Sequence, residues 1–229
     1  MTNTSIDPDP SFLGTTEFLD WQHDNVQRFT DKAIGNSRDP VTRAQRIFLA
    51  VRDNIWYDPY SIDDNPDHYR ASYVATATRA YCVPKAVLLT AAARAAAIPA
   101  RLGFADVRNH LQTTTLRVRM GGSDLFVYHG YSELFVNDRW VKATPAFNAE
   151  LCRRFSVPPI DFDGEHDALL HAYDSEGHQY MEYLHDHGWY HDLPFAEIVT
   201  ELQQRYGPLI MQTPPTEQDT FTKHIVSLD

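Results

Sequence analysis

Hydrophobic positions fall into two regimes along this chain, helical in the first 100 residues and alternating in the next 50. Phe18, Leu19, Val26 and Phe29 recur at helical spacing within 17–32. A second helix is predicted from Asp39-Pro40, with Ile47, Val51 and Ile55 on one face of 41–56. Residues 57–80 are polar and rich in Tyr and Asp, and read as a connector. A third, Ala-rich helix is predicted over 82–97. Pro84 sits in its first turn, where a missing N–H costs little, and Pro99 lies just past its end. Ala86, Val87, Thr90 and Ala93–Ala97 give it a smooth face for close packing. The period then shifts towards two. A strand starts at 101–104, 112–120 alternates up to Gly121-Gly122, and 127–136 and 139–143 flank Asn137-Asp138, a hairpin-turn pair. At least three antiparallel strands are expected.

From Ala149 the pattern weakens. Val157-Pro158-Pro159-Ile160 reads as a linker, 178–184 has modest helical spacing, and 195–206 predicts a short helix with Ile198, Val199 and Leu202 inward. Asp-Pro-Asp-Pro marks residues 1–14 as a leader, and 214–229 reads as a loose tail. The expected organisation is leader 1–14, core 15–148, acidic extension or cap 149–213, and tail 214–229.

Charge sharpens that division. The formal net charge is −11, and 155–204 holds eleven acids with no Lys or Arg, so the other residues balance. Such a surface repels phosphate, which argues against nucleic-acid binding. No apolar run approaches a membrane span, and the first residues lack the charged-then-apolar plan of a secretory signal. A cytoplasmic location is the expectation, with no membrane partner. Two cysteines without a C-x-x-C spacing argue against a disulfide scaffold, a zinc ribbon or a dithiol redox site.

The chemistry starts at Cys82, at the first turn of the Ala-rich helix. Unpaired N–H groups and partial positive charge there favour thiolate, the nucleophilic form. A buried, inert thiol is the plainer alternative. His129, on the strand 47 residues on, is the candidate base that takes the thiol proton and returns it to a leaving group.

Several segments resemble the core of the transglutaminase-like superfamily of cysteine enzymes. They are Cys82 opening a helix, Arg94-Ala95-Ala96-Ala97-Ile98-Pro99-Ala100-Arg101, His129-Gly130-Tyr131-Ser132-Glu133, and Trp140-Val141-Lys142-Ala143-Thr144-Pro145. Upstream, 47–57 resembles the helix preceding the nucleophile segment. The resemblance implies an α+β fold, a helical N-terminal half whose nucleophile-bearing helix packs on an antiparallel sheet as in papain-like enzymes. It implies cysteine-dependent acyl chemistry through Cys82 and His129, by hydrolysis or acyl transfer, on a small-molecule or peptide substrate and without a cofactor. Two positions depart from the family. Ala80 stands where Gly is frequent, and Thr144 stands where the third catalytic residue, an Asp that orients the imidazole, is expected. Thr144 can itself orient the ring, or Asn148, Asp106 or Glu133 can substitute, or catalysis has been lost and a binding domain remains. Arg108, at a strand end, could grip a substrate carboxylate or form a surface ion pair. Tyr81, beside the thiol, belongs to the same cleft. Six of eleven histidines lie in 166–191 (His166, His171, His178, His185, His187, His191). Together with the acids they could hold a metal in a metal-dependent hydrolase. The preferred expectation is no catalytic metal, with 161–192 covering the cleft and selecting substrate.

Overall fold

A computed structural model describes residues 8–110 and 112–212. In chain order the elements are α1 (Asp24–Ile34), α2 (Pro40–Asn54), β1 (Trp56–Tyr57), α3 (Ala71–Val74), β2 (Arg79–Ala80), α4 (Cys82–Ala95), β3 (Ala100–Asn109), α5 (Thr114–Arg119), β4 (Leu125–Val136), β5 (Arg139–Ala143), α6 (Ala149–Arg154), β6 (Met181–Tyr190) and α7 (Phe195–Tyr206). The architecture is α+β. The large sheet runs in the order β5-β4-β3-β6, antiparallel throughout, and β1 and β2 pair in parallel apart from it. One continuous hydrophobic core extends from Phe18 to Ile210. No helix among the described residues is long and apolar enough to cross a membrane.

The centre of the molecule is α4, buried on nearly every side by α1, α2, α3 and β4. Its alanines let neighbours approach closely, and its two buried basic side chains bond backbone carbonyls. Lys85 Nζ donates to Arg52 O (2.9 Å) and Ile55 O (2.7 Å) at the end of α2, carbonyls that a helix end leaves open. Arg94 donates to Ala100 O, Gly14 O and His191 O, joining β3, the N-terminal segment and the end of β6. Ile98 N–H bonds back to Ala93 O (2.9 Å) and closes the helix, which places Ala97 in the left-handed region at φ 60°. The face of β4 towards α4 is small. Ser132 Oγ donates to Ala86 O (3.0 Å) and accepts from Thr90 Oγ1 (2.9 Å). The Asn137-Asp138 turn has positive φ at both residues, as a two-residue hairpin needs.

Several expectations need correction. The first helix starts at Asp24, not Glu17, because His23 Nδ1 accepts Asn25 N–H and caps it there. The second ends at Asn54, and Trp56 belongs to β1. Residues 112–120 hold helix α5 instead of a strand. Thr113 Oγ1 caps it by accepting Leu116 N–H (3.2 Å), Leu116 and Met120 are buried at i, i+4, and Val118 is 62% exposed. The alternation Leu116, Val118, Met120 fits either period, and the core accepts only two of the three. The helical spacing at 178–184 is likewise overturned, since Met181–Tyr190 is an edge strand paired to β3 with two breaks in register. At the N-terminus, Pro10–Leu13 form a 3-10 turn whose Phe12 is buried against Trp140 and Trp189. Positions 1–7 and 213–229, which include all of the expected tail and the first half of the expected leader, lie outside the described residues.

Candidate functional site

The site forms where the start of α4 meets β4. Tyr81 is the N-cap residue and makes no side-chain cap bond, so the first-turn N–H groups are not taken up by a capping side chain. The N–H groups of Gly130, Val83 and Cys82 itself act on the Cys82 sulfur. Gly130 makes that approach feasible. A Cβ there would lie 3.0 Å from Val83 Cα and 3.3 Å from Cys82 O. Tyr81 Oη donates to Tyr69 Oη (3.1 Å) behind the thiol.

His129 sits on β4 opposite Ala105. Just before it the strand carries an extra residue, because the pairing runs from Ala105↔His129 to Val107↔Phe126. Tyr128 takes φ 53° in this bulge, and its N–H donates to Asp106 Oδ1 (3.1 Å). Bulges re-aim the side chains beside them, and this one adjoins His129. Cys82 and His129 line one cavity of about 30 Å³. Leu116 and Met120 of α5 line it too, and Leu202 and Tyr206 of α7 and Ile210 close it. A smaller neighbouring cavity of about 10 Å³ is shared by His129, Leu170 and Met181.

Burial governs the electrostatics. Cys82 is 6% exposed, and its thiol is pushed up to about 11 by desolvation, against the smaller downward pull of the Gly130, Val83 and Cys82 N–H groups. His129 is 4% exposed, and burial brings its imidazole down to about 4. The expected thiolate at the helix start is therefore not the form of this closed cavity, where thiol and imidazole are both neutral. Partial charges at a helix end contribute about 1 kcal/mol, too little to offset removal of an anion from water.

Thr144 is fully buried, with its N–H donating to Ala168 O (2.9 Å). The pairing of β5 with β4 ends at Ser132↔Ala143, and Thr144 is the residue that follows. His129 Nε2 and Thr144 Oγ1 are both buried without a hydrogen bond of good geometry, and the Tyr183 phenol lies beside Thr144. Buried polar atoms left in this way are uncommon and call for an explanation.

The other candidates are occupied elsewhere. Asn148 is not available to His129, because its Oδ1 accepts Tyr57 N–H (2.7 Å) and its Nδ2 donates to Arg52 O (2.5 Å) and Ile55 O (3.0 Å). It is a clasp on the end of α2. Asp106 bonds the Tyr128 bulge and His187 Nε2 (2.7 Å), so its carboxylate serves a different histidine. Glu133 pairs with Arg101 (2.5 Å), whose guanidinium lies over Trp140 and Trp189 at 4.1 and 4.7 Å. Arg108 is engaged by Glu182 (3.0 Å) and Asp124 (3.5 Å), the ion-pair alternative.

No residue of the His-rich segment lines the cavity shared by Cys82 and His129, whereas its Leu170 and Met181 line the smaller one beside His129. Part of the segment became β6, and the larger cavity is closed from α7 and the turn after it. His166 and His178 pair with Asp163 and Asp174, His187 with Asp106, and His191 with Ser11 O. Among the described residues no group of three or more His, Cys, Asp or Glu side chains converges to hold a metal ion. Gly130, the Tyr128 bulge and the lining from α5 and α7 were not singled out from sequence. Only Gly130 had a local signal, as the residue following the candidate base on a strand facing a close-packed helix.

The family model of the transglutaminase-like superfamily matches residues 27–145. Among solved structures, a "putative cysteine protease" from Cytophaga hutchinsonii is similar at 20% identity with a TM-score of 0.45, over 63% of this chain and 45% of that one. The chain therefore matches less than half the length of that protein. No curated protein matches it.

Proposed function

Because the chain belongs to the transglutaminase-like superfamily, we propose that it is a thiol enzyme performing acyl chemistry through Cys82 and His129. The observation that carries this reading is that the only cysteine at the start of the central helix shares a cavity with the histidine of the matched strand. With both groups neutral in the closed state, the thiol proton passes to the imidazole as the sulfur attacks a carbonyl carbon. Charge developing on the carbonyl oxygen is met by backbone N–H groups at the start of α4. The imidazolium then gives its proton to the leaving group, and a thioester remains on Cys82. Water as second nucleophile gives hydrolysis, and an amine gives acyl transfer.

In this reading Thr144 replaces the family's Asp and orients the His129 ring through its hydroxyl when substrate is bound. His129 Nε2, buried without a hydrogen bond, and the Thr144 hydroxyl, whose nearest polar neighbour is the Tyr183 phenol, support that role. The test is acyl-enzyme trapping with activated esters, followed by intact mass and peptide mapping. An acyl adduct at Cys82 that is lost in Cys82→Ala and kept in Cys152→Ala is expected. An adduct that survives Cys82→Ala would overturn the assignment. Adding a primary amine distinguishes the two outcomes by whether an amide accumulates in place of the free acid.

A further inference from the structure

We propose that the acyl group delivered to Cys82 is short, uncharged and apolar, an inference that rests on the thiol reading above. The cavity holding the sulfur is otherwise walled by hydrocarbon from separate parts of the fold: Ile62, Leu116, Met120, Phe126, Leu202 and Ile210. Three phenols also line it, those of Tyr57, Tyr81 and Tyr206. Tyr81 Oη donates to Tyr69 Oη, and Tyr206 Oη donates to Leu125 O (2.7 Å) while accepting Val127 N–H (2.8 Å). Among the described residues no Asp, Glu, Lys or Arg lines it. Arg119, which shares α5 with Leu116, turns its guanidinium over the Tyr60 ring at 5.1 Å and donates to Gln212 O.

A carboxylate or ammonium entering such a space loses its water and gains no partner. The same surroundings hold the Cys82 thiol and the His129 imidazole neutral, so they disfavour a charged acyl chain as well. Size narrows the class further. A free volume of about 30 Å³ is room for about two waters, which matches an acyl chain of a few carbons. A longer chain has to displace Leu202, Tyr206 and Ile210.

The chemistry is balanced with an activated ester as donor. The Cys82 sulfur bonds the carbonyl carbon, the ester C–O bond breaks, and the thiol proton reaches the leaving phenoxide through His129. Water then adds to the thioester, releasing the carboxylic acid and restoring the thiol.

The experiment compares p-nitrophenyl acetate, butyrate, succinate monoester and β-alaninate on the full chain. It follows p-nitrophenol release and the mass added at Cys82, with Cys82→Ala as the blank. Acetate and butyrate are expected to acylate Cys82 at least a hundredfold faster than the two charged donors. Charged donors that equal or exceed them at Cys82 overturn the apolar pocket and leave the thiol reading standing. Failure of every donor to add mass at Cys82, or equal release by Cys82→Ala, removes the thiol reading and this proposal with it.

Discussion

Alkylation of Cys82 tests the electrostatics of the closed cavity directly. With the thiol pushed up to about 11, the thiolate at pH 7 is about 300-fold scarcer than for a free cysteine of pKa ~8.5. A more basic sulfur is intrinsically more nucleophilic, by a Brønsted coefficient of roughly 0.4–0.5, which returns about tenfold to twentyfold. The net expectation is a reaction about twentyfold slower than N-acetylcysteine, before any shielding by Leu202 and Tyr206. Cys152 is also buried and pushed up to about 11, so the measurement uses Cys152→Ala to leave one thiol. Pseudo-first-order rates with iodoacetamide, read by intact mass from pH 6 to pH 10.5, should climb about tenfold per pH unit without a plateau. A plateau below pH 8, or a rate above that of N-acetylcysteine at pH 7, would refute the reasoning. Either would mean that a thiolate–imidazolium pair pre-exists and that desolvation does not govern the resting site.

Asn148→Ala should cost about 3 kcal/mol, mainly by orphaning Tyr57 N–H, while Lys85 still serves the Arg52 and Ile55 carbonyls. For a chain of this size that is a fall in Tm of roughly 6–12 °C, and a loss under 1 kcal/mol in urea unfolding would count against the clasp. Thr144→Val removes a buried hydroxyl without a good hydrogen bond, so unfolding should show stability unchanged or raised while kcat/KM falls about tenfold or more; unchanged kinetics would exclude Thr144 as the orienter. His129 titrates at about 4 when folded and about 6.5 when unfolded, so its stabilising contribution is fully present above pH 6.5 and is lost as pH falls through 4. His129→Gln should therefore remove about 3 kcal/mol of the acid-side loss of stability, as measured by urea midpoints from pH 4 to 7. Ala97→Gly should stabilise by about 0.5–1 kcal/mol, since it relieves an L-residue held at φ 60° at an exposed helix end; a lower Tm would show that the strain estimate is wrong.

The sequence revealed the elements whose pattern has only one physical solution. The Ala-rich run 82–97 has too few polar positions for a surface helix, and it became the buried α4. Asn137-Asp138 between two alternating runs allows little but a tight hairpin. Asp39-Pro40 capped α2 where expected, through Asp39 Oδ2 on Thr42 N–H. Where two periods fit the same residues, the choice lay in contacts distant in sequence. Leu116, Val118 and Met120 could have been a strand, and the absence of a core beneath Val118 made them a helix. At 181–190, breaks in register against β3 blur the alternation, so a strand with Gly188 at φ 79° left only a modest helical spacing over 178–184 in the sequence.

The candidate pair was legible because the types and order of residues survive in the linear chain, whereas the state of the pair was not. The helix-start argument for an activated thiol is a local one, worth about 1 kcal/mol. What opposes it is assembled from Leu116 and Met120 on one side and Leu202, Tyr206 and Ile210 on the other, residues 34 to 128 positions from Cys82. Their burial of the sulfur outweighs the three N–H groups aimed at it. The same walls that keep the thiol protonated are those that would select an apolar acyl group. Resting inertness and substrate preference thus have a common cause, and enlarging the cavity should weaken both together. Met120→Ala is expected to speed iodoacetamide alkylation of Cys82 and to flatten the preference for butyrate over succinate. A variant that changed one and left the other untouched would separate the two and show that the walls do not set both.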